Sequence, residues 1–339
     1  MGVMAPEVSV TVGGTDLVKN LSCIMGDVEV SLSMDGESSA VVEIVEAYDH
    51  KNHQITAAIA DILAVGKKME ISMGYAGGKG KVFSGYLDEV ELEFRIDTAG
   101  VLRLKGYDVV RLLKNSSRYR IYTEQSCSAV FSSIMGEYSW LCSGKVDAGD
   151  NLDEVRTWRQ EGSDFDFIID ELVKHHQAER EFYVSLGAAH YTKPDASERE
   201  VLVWNAGTGC LGFKTEIHYV NHVVQVQGYS AGYERFTGES DACMGGADSG
   251  ASKGMRVYQT AEADTSAGAK AMAEQFAKRD VAAGKRISVS MTGKKELLTG
   301  AYVKVEELDP LWNGTYRIRE ARHILNKEGY RTKMILEGC

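Results

Sequence analysis

The stretch that decides the fold is KMEISMGYAGGKGKVFSGYLDEVELEF, residues 68–94. It reads as two strands around a Gly-Gly-Lys-Gly turn at 77–80, because glycine allows the backbone conformations that a short turn needs. In the second strand Val90, Leu92 and Phe94 alternate with glutamates, the period of a strand with one buried face. The stretch therefore predicts a β-hairpin within an antiparallel sheet.

The same alternation continues on both sides of this hairpin. It is clear over residues 26–36, and we expect 101–113 to close the region as a further strand. Residues 55–66 favour a helix over a loop. Turn signals at short spacing are typical of an antiparallel sheet or barrel, so residues 1–112 are predicted to form a first β-barrel.

The rest of the chain divides into two parts. Residues 113–205 combine a helix that starts near Ser126 with later strands, which predicts an α+β middle domain. Residues 206–339 return to alternation and predict a second β-barrel. A polar, glycine-rich loop and a helix interrupt this barrel at 233–285. The fold class predicted is mainly β with an α+β insertion.

Composition and charge exclude several classes of protein. The chain has 339 residues and a net charge of −11, from 49 acidic and 38 basic residues. That surplus is unsuited to wrapping nucleic acid or lying on an anionic membrane. No apolar run approaches the ~20 residues of a membrane span. The start, MGVMAPEVSV, lacks a signal-peptide pattern, which predicts synthesis in the cytoplasm. The six scattered cysteines predict free thiols, with no metal or cofactor site.

Residues 156–184, RTWRQEGSDFDFIIDELVKHHQAEREFYV, raise the possibility of a catalytic or metal-binding cluster. Ser163 stands three residues before Asp166, the spacing of a capping box. Glu171 and His175 share a helix face, but no third metal ligand is apparent. The apolar stripe comprises Phe165, Ile168, Ile169, Leu172 and Val173. The carboxylates expected on the solvated face are Asp164, Asp166, Asp170 and Glu171. This pattern favours a capped amphipathic helix over a reaction centre.

Two other functions stay open from the residues. GYSAG at 228–232 matches the G-x-S-x-G pattern of a serine hydrolase with Ser230 as nucleophile, and Asp309 and His323 follow in the required order. A polar segment follows Ser230, however, where that motif requires an apolar helix. The second alternative is a β-rich module that binds a glycan or a receptor.

The order of these parts resembles the baseplate hub proteins of contractile phage tails and injection systems. The family includes late control protein D of tailed phages and the N-terminal hub region of type VI secretion VgrG spike proteins. The resemblance is carried by WRQEGSDFDFI at 158–168, by the helical stretch at 265–279, and by the paired segments at 314–325 and 329–338.

This resemblance implies a structural protein rather than an enzyme. Each subunit would contain two barrels similar to tail-tube barrels, and a homotrimer would join the six-fold tail tube to the three-fold central spike. Expected partners are the tail tube protein, the central spike protein, the tape measure protein and the baseplate wedge proteins. DNA would pass through the lumen without specific binding, which an acidic lining would suit, and there would be no membrane anchor. The expected location is the baseplate of a virion or tail-like particle, assembled in the bacterial cytoplasm. Because the sequence ends at Cys339, soon after the second barrel, the spike is expected to be a separate chain.

Overall fold

The fold is mainly β, with antiparallel sheets and an α+β middle part, as the sequence predicts. In the part of the chain that is described, no helix is both long and apolar enough to cross a bilayer. The computed structural model describes residues 5–49, 51–94, 100–146, 155–175, 180–194, 200–205, 207, 209–229, 234–244, 252–260, 263 and 265–339.

The first region is built from strands whose core-facing residues alternate along each strand, with Val28, Val30 and Leu32 buried on β3. Its hairpin β7–β8 confirms the prediction from residues 68–94. The helix expected within 55–66 is one short turn, α2. The strands are β1 (Pro6–Val12), β2 (Thr15–Asp16), β3 (Ile24–Ser33), β4 (Ser39–Val45), β5 (Tyr48–Asp49), β6 (Gln54–Ile55), β7 (Lys68–Tyr75), β8 (Gly80–Glu93) and β9 (Val101–Tyr107), and the helices are α1 (Leu17–Leu21) and α2 (Ala57–Ala60).

The prediction of one strand over 101–113 is wrong in its second half. The strand β9 ends at Tyr107, and α3 (Val109–Asn115) follows. Asp108 caps this helix, since its carboxylate accepts a hydrogen bond from the Val110 backbone N–H at 3.0 Å. The capping aspartate is the sequence signal that ends the strand there.

The middle part has its own apolar core around α4, the helix predicted to start near Ser126, where Val130, Ile134 and Met135 are buried. Two of its strands, β10 and β12, form an antiparallel ribbon. The sequence analysis did not predict this pair of strands. The elements are β10 (Ser117–Gln125), α4 (Cys127–Glu137), β11 (Ser143–Val146), β12 (Arg156–Ser163), α5 (Asp164–Asp166) continuing as a π-helix (Phe167–His175), β13 (Glu181–Ser185) and β14 (Ala188–Thr192).

The last region contributes its strands at 200–217 and 285–338 to the largest sheet, which we call the main sheet. It also contains a separate α/β unit. This unit, which we call the α6 unit, is the sheet β18-β17-β19 covered by α6. The elements of the region are β15 (Glu200–Trp204), β16 (Cys210–Ile217), β17 (Asn221–Tyr229), β18 (Arg235–Cys243), β19 (Gly254–Gln259), α6 (Ser266–Ala283), β20 (Lys285–Thr292), β21 (Tyr302–Val305), β22 (Gly314–Asn326) and β23 (Gly329–Gly338).

The loop predicted within 233–254 is therefore wrong over β18, which occupies Arg235–Cys243. The buried side of β18 carries Gly238 and Ala242, small residues that let α6 lie close to the strand. The interruption of the second β-region also begins earlier than expected, because β17 already pairs within the α6 unit.

One strand, β22, joins the first and last regions into a single sheet. Its first half pairs with β21, its second half pairs with β3, and β23 follows its other edge. The hydrogen-bonded order is β16-β20-β23-β22-β3-β4-β9-β8-β7-β1-β2, with β15 paired to β21, thirteen strands among the described residues. One apolar core, with residues from both regions, lies under this sheet.

Replacing Gly238 with alanine tests the close contact between β18 and α6. A Cβ at this position would lie 2.2 Å from the Ala269 carbonyl carbon, whereas a Cβ at Gly212 on β16 would have no atom within 4 Å. We expect Gly238→Ala to lower the free energy of unfolding by about 1–3 kcal/mol, because overpacking displaces the helix. Chemical denaturation measures the change. Gly212→Ala is the control, and equal effects of the two substitutions would contradict the packing described.

Candidate assembly interface

The helix that begins at Asp164 is a packing element, as its sequence pattern favours. The Ser163 hydroxyl accepts a hydrogen bond from the Asp166 backbone N–H at 3.0 Å, so the predicted cap is present. From Phe167 onward the turns are wider than in an α-helix. Wider turns shift which positions face inward, and Phe167 is buried together with Ile168 and Leu172.

Asp164 is not on a solvated face, contrary to the sequence-based expectation. Its carboxylate is completely buried and accepts hydrogen bonds from the Ser116 hydroxyl, the Tyr138 hydroxyl and the Gln160 side-chain amide, each at 2.6 Å. The Arg118 guanidinium lies 3.7 Å away. These partners come from the start of β10, the end of α4 and β12, so one carboxylate ties three elements together.

The proposed hydrolase residues do not form a visible reaction centre. Ser230 lies outside the described residues, and Asp309 is in an exposed turn where its carboxylate accepts from the Leu311 backbone N–H. His323 is completely buried on β22. Its Nε2 lies 3.0 Å from the Leu297 carbonyl oxygen and its Nδ1 lies 2.8 Å from the Tyr330 hydroxyl. Because a carbonyl oxygen can only accept, Nε2 carries the proton, and neither nitrogen is free to act as a base.

Two further histidines have packing or pairing roles. His190 stacks on Tyr183 with ring centroids 4.5 Å apart, and His222 lies 2.8 Å from the Asp280 carboxylate. His218 is in the loop between β16 and β17. Across the described stretches, no three His, Cys, Asp or Glu side chains are grouped as metal ligands would be.

One exposed apolar surface belongs to β16, the strand at one end of the main sheet. Leu211, Phe213 and Ile217 are 60%, 45% and 47% exposed. Phe213 lies opposite Val289, a buried residue of β20, so Phe213 and Ile217, which share a strand face, point to the core side of the sheet. Leu211 lies at the bulge between Cys210 and Gly212. Within the described residues β16 pairs with β20 alone. The core therefore reaches the end of the sheet without being covered there.

The β10–β12 ribbon offers a second exposed apolar face. Tyr119 and Ile121 are both more than half exposed, and the Arg159 guanidinium lies over the Tyr119 ring at 5.2 Å. Aromatic and arginine side chains at one surface are typical of protein interfaces. The described geometry therefore supports binding of other proteins better than chemistry on a small substrate.

Comparison with known proteins places the chain in a family. The family model described as the Alg8 N-terminal domain matches residues 4–327. The chain belongs to this family. No curated protein matches the sequence.

Solved structures similar to this chain include tail proteins and a type VI secretion component, and they confirm the resemblance drawn from the sequence. The 43 kDa tail protein of prophage MuSo2 from Shewanella oneidensis is similar with a TM-score of 0.65 at 11% identity, over 98% of this chain and 96% of that one. The tail protein from Neisseria meningitidis MC58 is similar with a TM-score of 0.65 at 13% identity and the same coverage, 98% and 96%. The E. coli c3393 protein, a component of the type VI secretion system, is similar with a TM-score of 0.58 at 10% identity, over 97% of this chain and 76% of that one. At these identities the likeness shows a shared fold.

Substituting Asp164 tests whether the middle part depends on this buried carboxylate. We expect Asp164→Ala to lower the free energy of unfolding by about 3 kcal/mol, because three donors that are buried or half-buried lose their acceptor. Glu161→Gln is the control, since Glu161 is an exposed neighbour on β12 that pairs with Arg159. Chemical denaturation of both variants decides the question. A loss for Asp164→Ala no larger than that of the control would show that the network is dispensable.

His323 should make the protein sensitive to acid. Burial lowers the pKa of His323 to about 4, whereas its ordinary value is 6.5. Between these two pH values the unfolded chain binds a proton that the folded chain does not, so stability falls as pH falls through this window. The full difference corresponds to about 3 kcal/mol.

The comparison of His323→Gln with the unmodified chain isolates this effect. Burial raises the pKa of Asp108 to about 7, which gives a dependence of opposite sign over the same range, but both chains share it. We expect the loss of unfolding free energy between pH 6.5 and pH 4 to be about 3 kcal/mol smaller in His323→Gln, as measured by denaturation at several pH values. His218→Gln, at an exposed histidine, should keep the original slope. An unchanged slope in His323→Gln would refute the assignment.

Proposed function

We propose that this chain is the structural hub of a contractile tail baseplate. Three copies would form a ring that joins the six-fold tail tube to the three-fold central spike. The shared fold with tail proteins supports a role in a tail, and the uncovered end of the main sheet supports a role in assembly. In this proposal the chain is not an enzyme and binds no cofactor or metal.

The exposed core side of β16 is the observation that carries the proposal. An edge strand presents unpaired N–H and C=O groups, and natural proteins protect such edges or use them for pairing. In β16 the apolar side chains Leu211, Phe213 and Ile217 are exposed beside that edge. A neighbouring subunit placed against β16 would cover both the polar backbone and the apolar side chains. Interfaces of this obligate kind bury on the order of 2,000 Å² and are apolar at the centre.

We further propose that the opposite, polar face of the main sheet lines the channel of the ring. Its charges pair with one another across the strands: Arg322 lies 2.5 Å from Glu29, and Arg103 lies 2.9 Å from Glu43 and 2.6 Å from Glu93. Mutually paired charges offer no continuous basic stripe to phosphates. DNA would then pass through without specific binding, owing to paired charges rather than to the purely acidic lining expected from composition.

The partners in this proposal follow from the position of a hub. The tail tube protein would stand on one side of the ring and the central spike protein on the other, with the tape measure protein in the lumen and wedge proteins around the outside. The location would be the baseplate of a virion or tail-like particle. The division into residues 1–112, 113–205 and 206–339 remains our interpretation of the parts, with the α6 unit inserted in the third.

A charge placed on the edge of the main sheet tests the proposal. We expect Phe213→Glu to remain folded yet be absent from tail particles, because an unpaired carboxylate buried at the interface costs roughly 3 kcal/mol, more than a hundredfold in association. Leu311→Glu, at an equally exposed apolar residue in a turn, is the control and should be incorporated.

The measurement is the abundance of each chain in purified particles by mass spectrometry, together with images that show its position. Particles are used because isolated hub subunits can stay monomeric until partners arrive. Absence of the unmodified chain from particles would overturn the hub. If Phe213→Glu is as abundant in particles as the unmodified chain, the proposal that β16 forms a subunit interface is overturned.

A further inference from the structure

A second surface with a distinct chemistry lies where the middle part, the α6 unit and the main sheet meet. This surface, which we call the basic cleft, has a volume of about 620 Å³. Its wall includes β13, the end of α6, β19, β20, β22 and β23. It is separate from the exposed apolar side of β16, and nothing in the hub proposal uses it.

The basic cleft carries an excess of cations in an acidic protein. Six arginines and two histidines line it, against the three carboxylates of Glu181, Asp280 and Glu337. The whole chain has a net charge of −11. A local excess of this kind, opposed to the overall charge, attracts anionic groups to one place on the surface.

The carboxylates of the cleft are shared between cations. The Asp280 Oδ2 atom lies 2.8 Å from His222 Nε2 and also 3.1 Å from Arg256 Nη1. Glu337 lies 3.1 Å from Arg286 and 3.8 Å from Arg319. Each guanidinium has five N–H donors, so one shared carboxylate cannot accept from all of the donors of its arginine partners.

Arg279 is the clearest of these incompletely used groups. Its guanidinium lies 4.8 Å from the Phe276 ring centroid and 5.9 Å from that of Tyr258, which holds the group in place on α6. Among the described residues it makes no ion pair with a carboxylate. It is therefore positioned by aromatic contacts and available to an incoming anion.

Arg317, by contrast, has a structural role, because its partner is a residue of the fold itself. It is buried, it pairs with both oxygens of Glu181, and its guanidinium lies between the rings of Tyr183 and Tyr302 at 5.2 and 5.1 Å. This pair joins β13 to β22 and uses both terminal nitrogens of the guanidinium, whereas the buried Nε atom has no hydrogen-bond partner. The ligand-facing groups are then Arg256, Arg279 and Arg286 at the wall of the cleft.

We propose that the basic cleft binds an acidic peptide segment of a neighbouring protein in the tail. Arg256, Arg279 and Arg286 would each take a carboxylate, as Arg256 and Arg286 already do with Asp280 and Glu337. The exposed ring of Tyr219 gives the peptide an apolar wall. The net negative charge of the chain disfavours a nucleic acid, whose phosphates extend far beyond the cleft. This inference rests on the hub proposal only in placing the chain next to other proteins.

Binding of a labelled hexaglutamate peptide to the full chain tests the inference. Fluorescence anisotropy measures the affinity at low salt, where we expect binding that weakens as salt is added. Arg279→Gln and, separately, Arg286→Gln should each weaken binding roughly tenfold, because each removes one charge-assisted contact. Arg331→Gln, at an arginine of β23 that pairs with Glu328 outside the cleft, should leave the affinity unchanged.

Competition by other anions shows which class of anion the basic cleft binds. A single-stranded oligonucleotide of equal charge and inorganic phosphate are each tested as competitors, and weak competition by both is expected. Tighter binding of the oligonucleotide would reassign the cleft to nucleic acid, and equal competition by phosphate would make it a site for free anions. No binding of hexaglutamate, or equal binding by the arginine variants, would overturn the inference.

The experiments can refute either proposal without refuting the other. Incorporation of each arginine variant into tail particles is measured alongside peptide binding, and thermal denaturation of each variant confirms that it is folded. If the unmodified chain enters particles but does not bind the peptide, this inference fails alone. If it binds the peptide but is absent from particles, the hub proposal fails.

Discussion

The ladder between β3 and β22 is the constraint on which the rest of the structure depends. It pairs residues at the two ends of the chain, such as Val28 with Leu325, and Arg322 with Glu29 closes the same contact on the polar face. Without it, the first and last regions are separate half-sheets above a divided core. With it, thirteen strands cover one apolar core. Contacts this distant in sequence are slow to form, because the chain between them must be ordered first.

Once this sheet is fixed, the other parts attach through polar groups that are buried at the seams. Arg317 and Glu181 join the middle part to β22, with Tyr183 and Tyr302 on either side of the guanidinium. Within the middle part, the buried Asp164 carboxylate likewise joins separate elements through its hydrogen bonds. An arrangement of the parts that separates a buried charge from its partners is strongly destabilised, because the charge is then buried without a counter-charge. Apolar surfaces supply most of the burial, while these polar groups define how the parts fit.

The sequence predicted the elements whose buried face is made of large apolar residues. The hairpin β7–β8, the strand β3 and the pair β22–β23 all show that alternation. It missed β18, because the side facing α6 carries Gly238 and Ala242 and the strand therefore reads as a polar loop. Asp164 was misjudged for a related reason. An acid in the first turn of a helix looks solvated, and its burial depends on partners distant in sequence. The apolar residues of β16 were visible, but the sheet order was needed to show that they stand at an edge.

The form of the main sheet constrains how a partner can cover it. One face is the packed core, and the other carries charges that pair across strands, so stacking a second sheet on that face would desolvate many ions at once. What remains is addition in the plane of the sheet, at an edge strand such as β16 or β1. A contact that uses different surfaces on the two copies repeats from one copy to the next, and it ends only when a rotation brings the last copy against the first. Pairing at such an edge gives a two-fold pair when two copies of β16 meet, and a ring when β16 meets a different edge of the next copy, so the ring in our proposal requires the second arrangement.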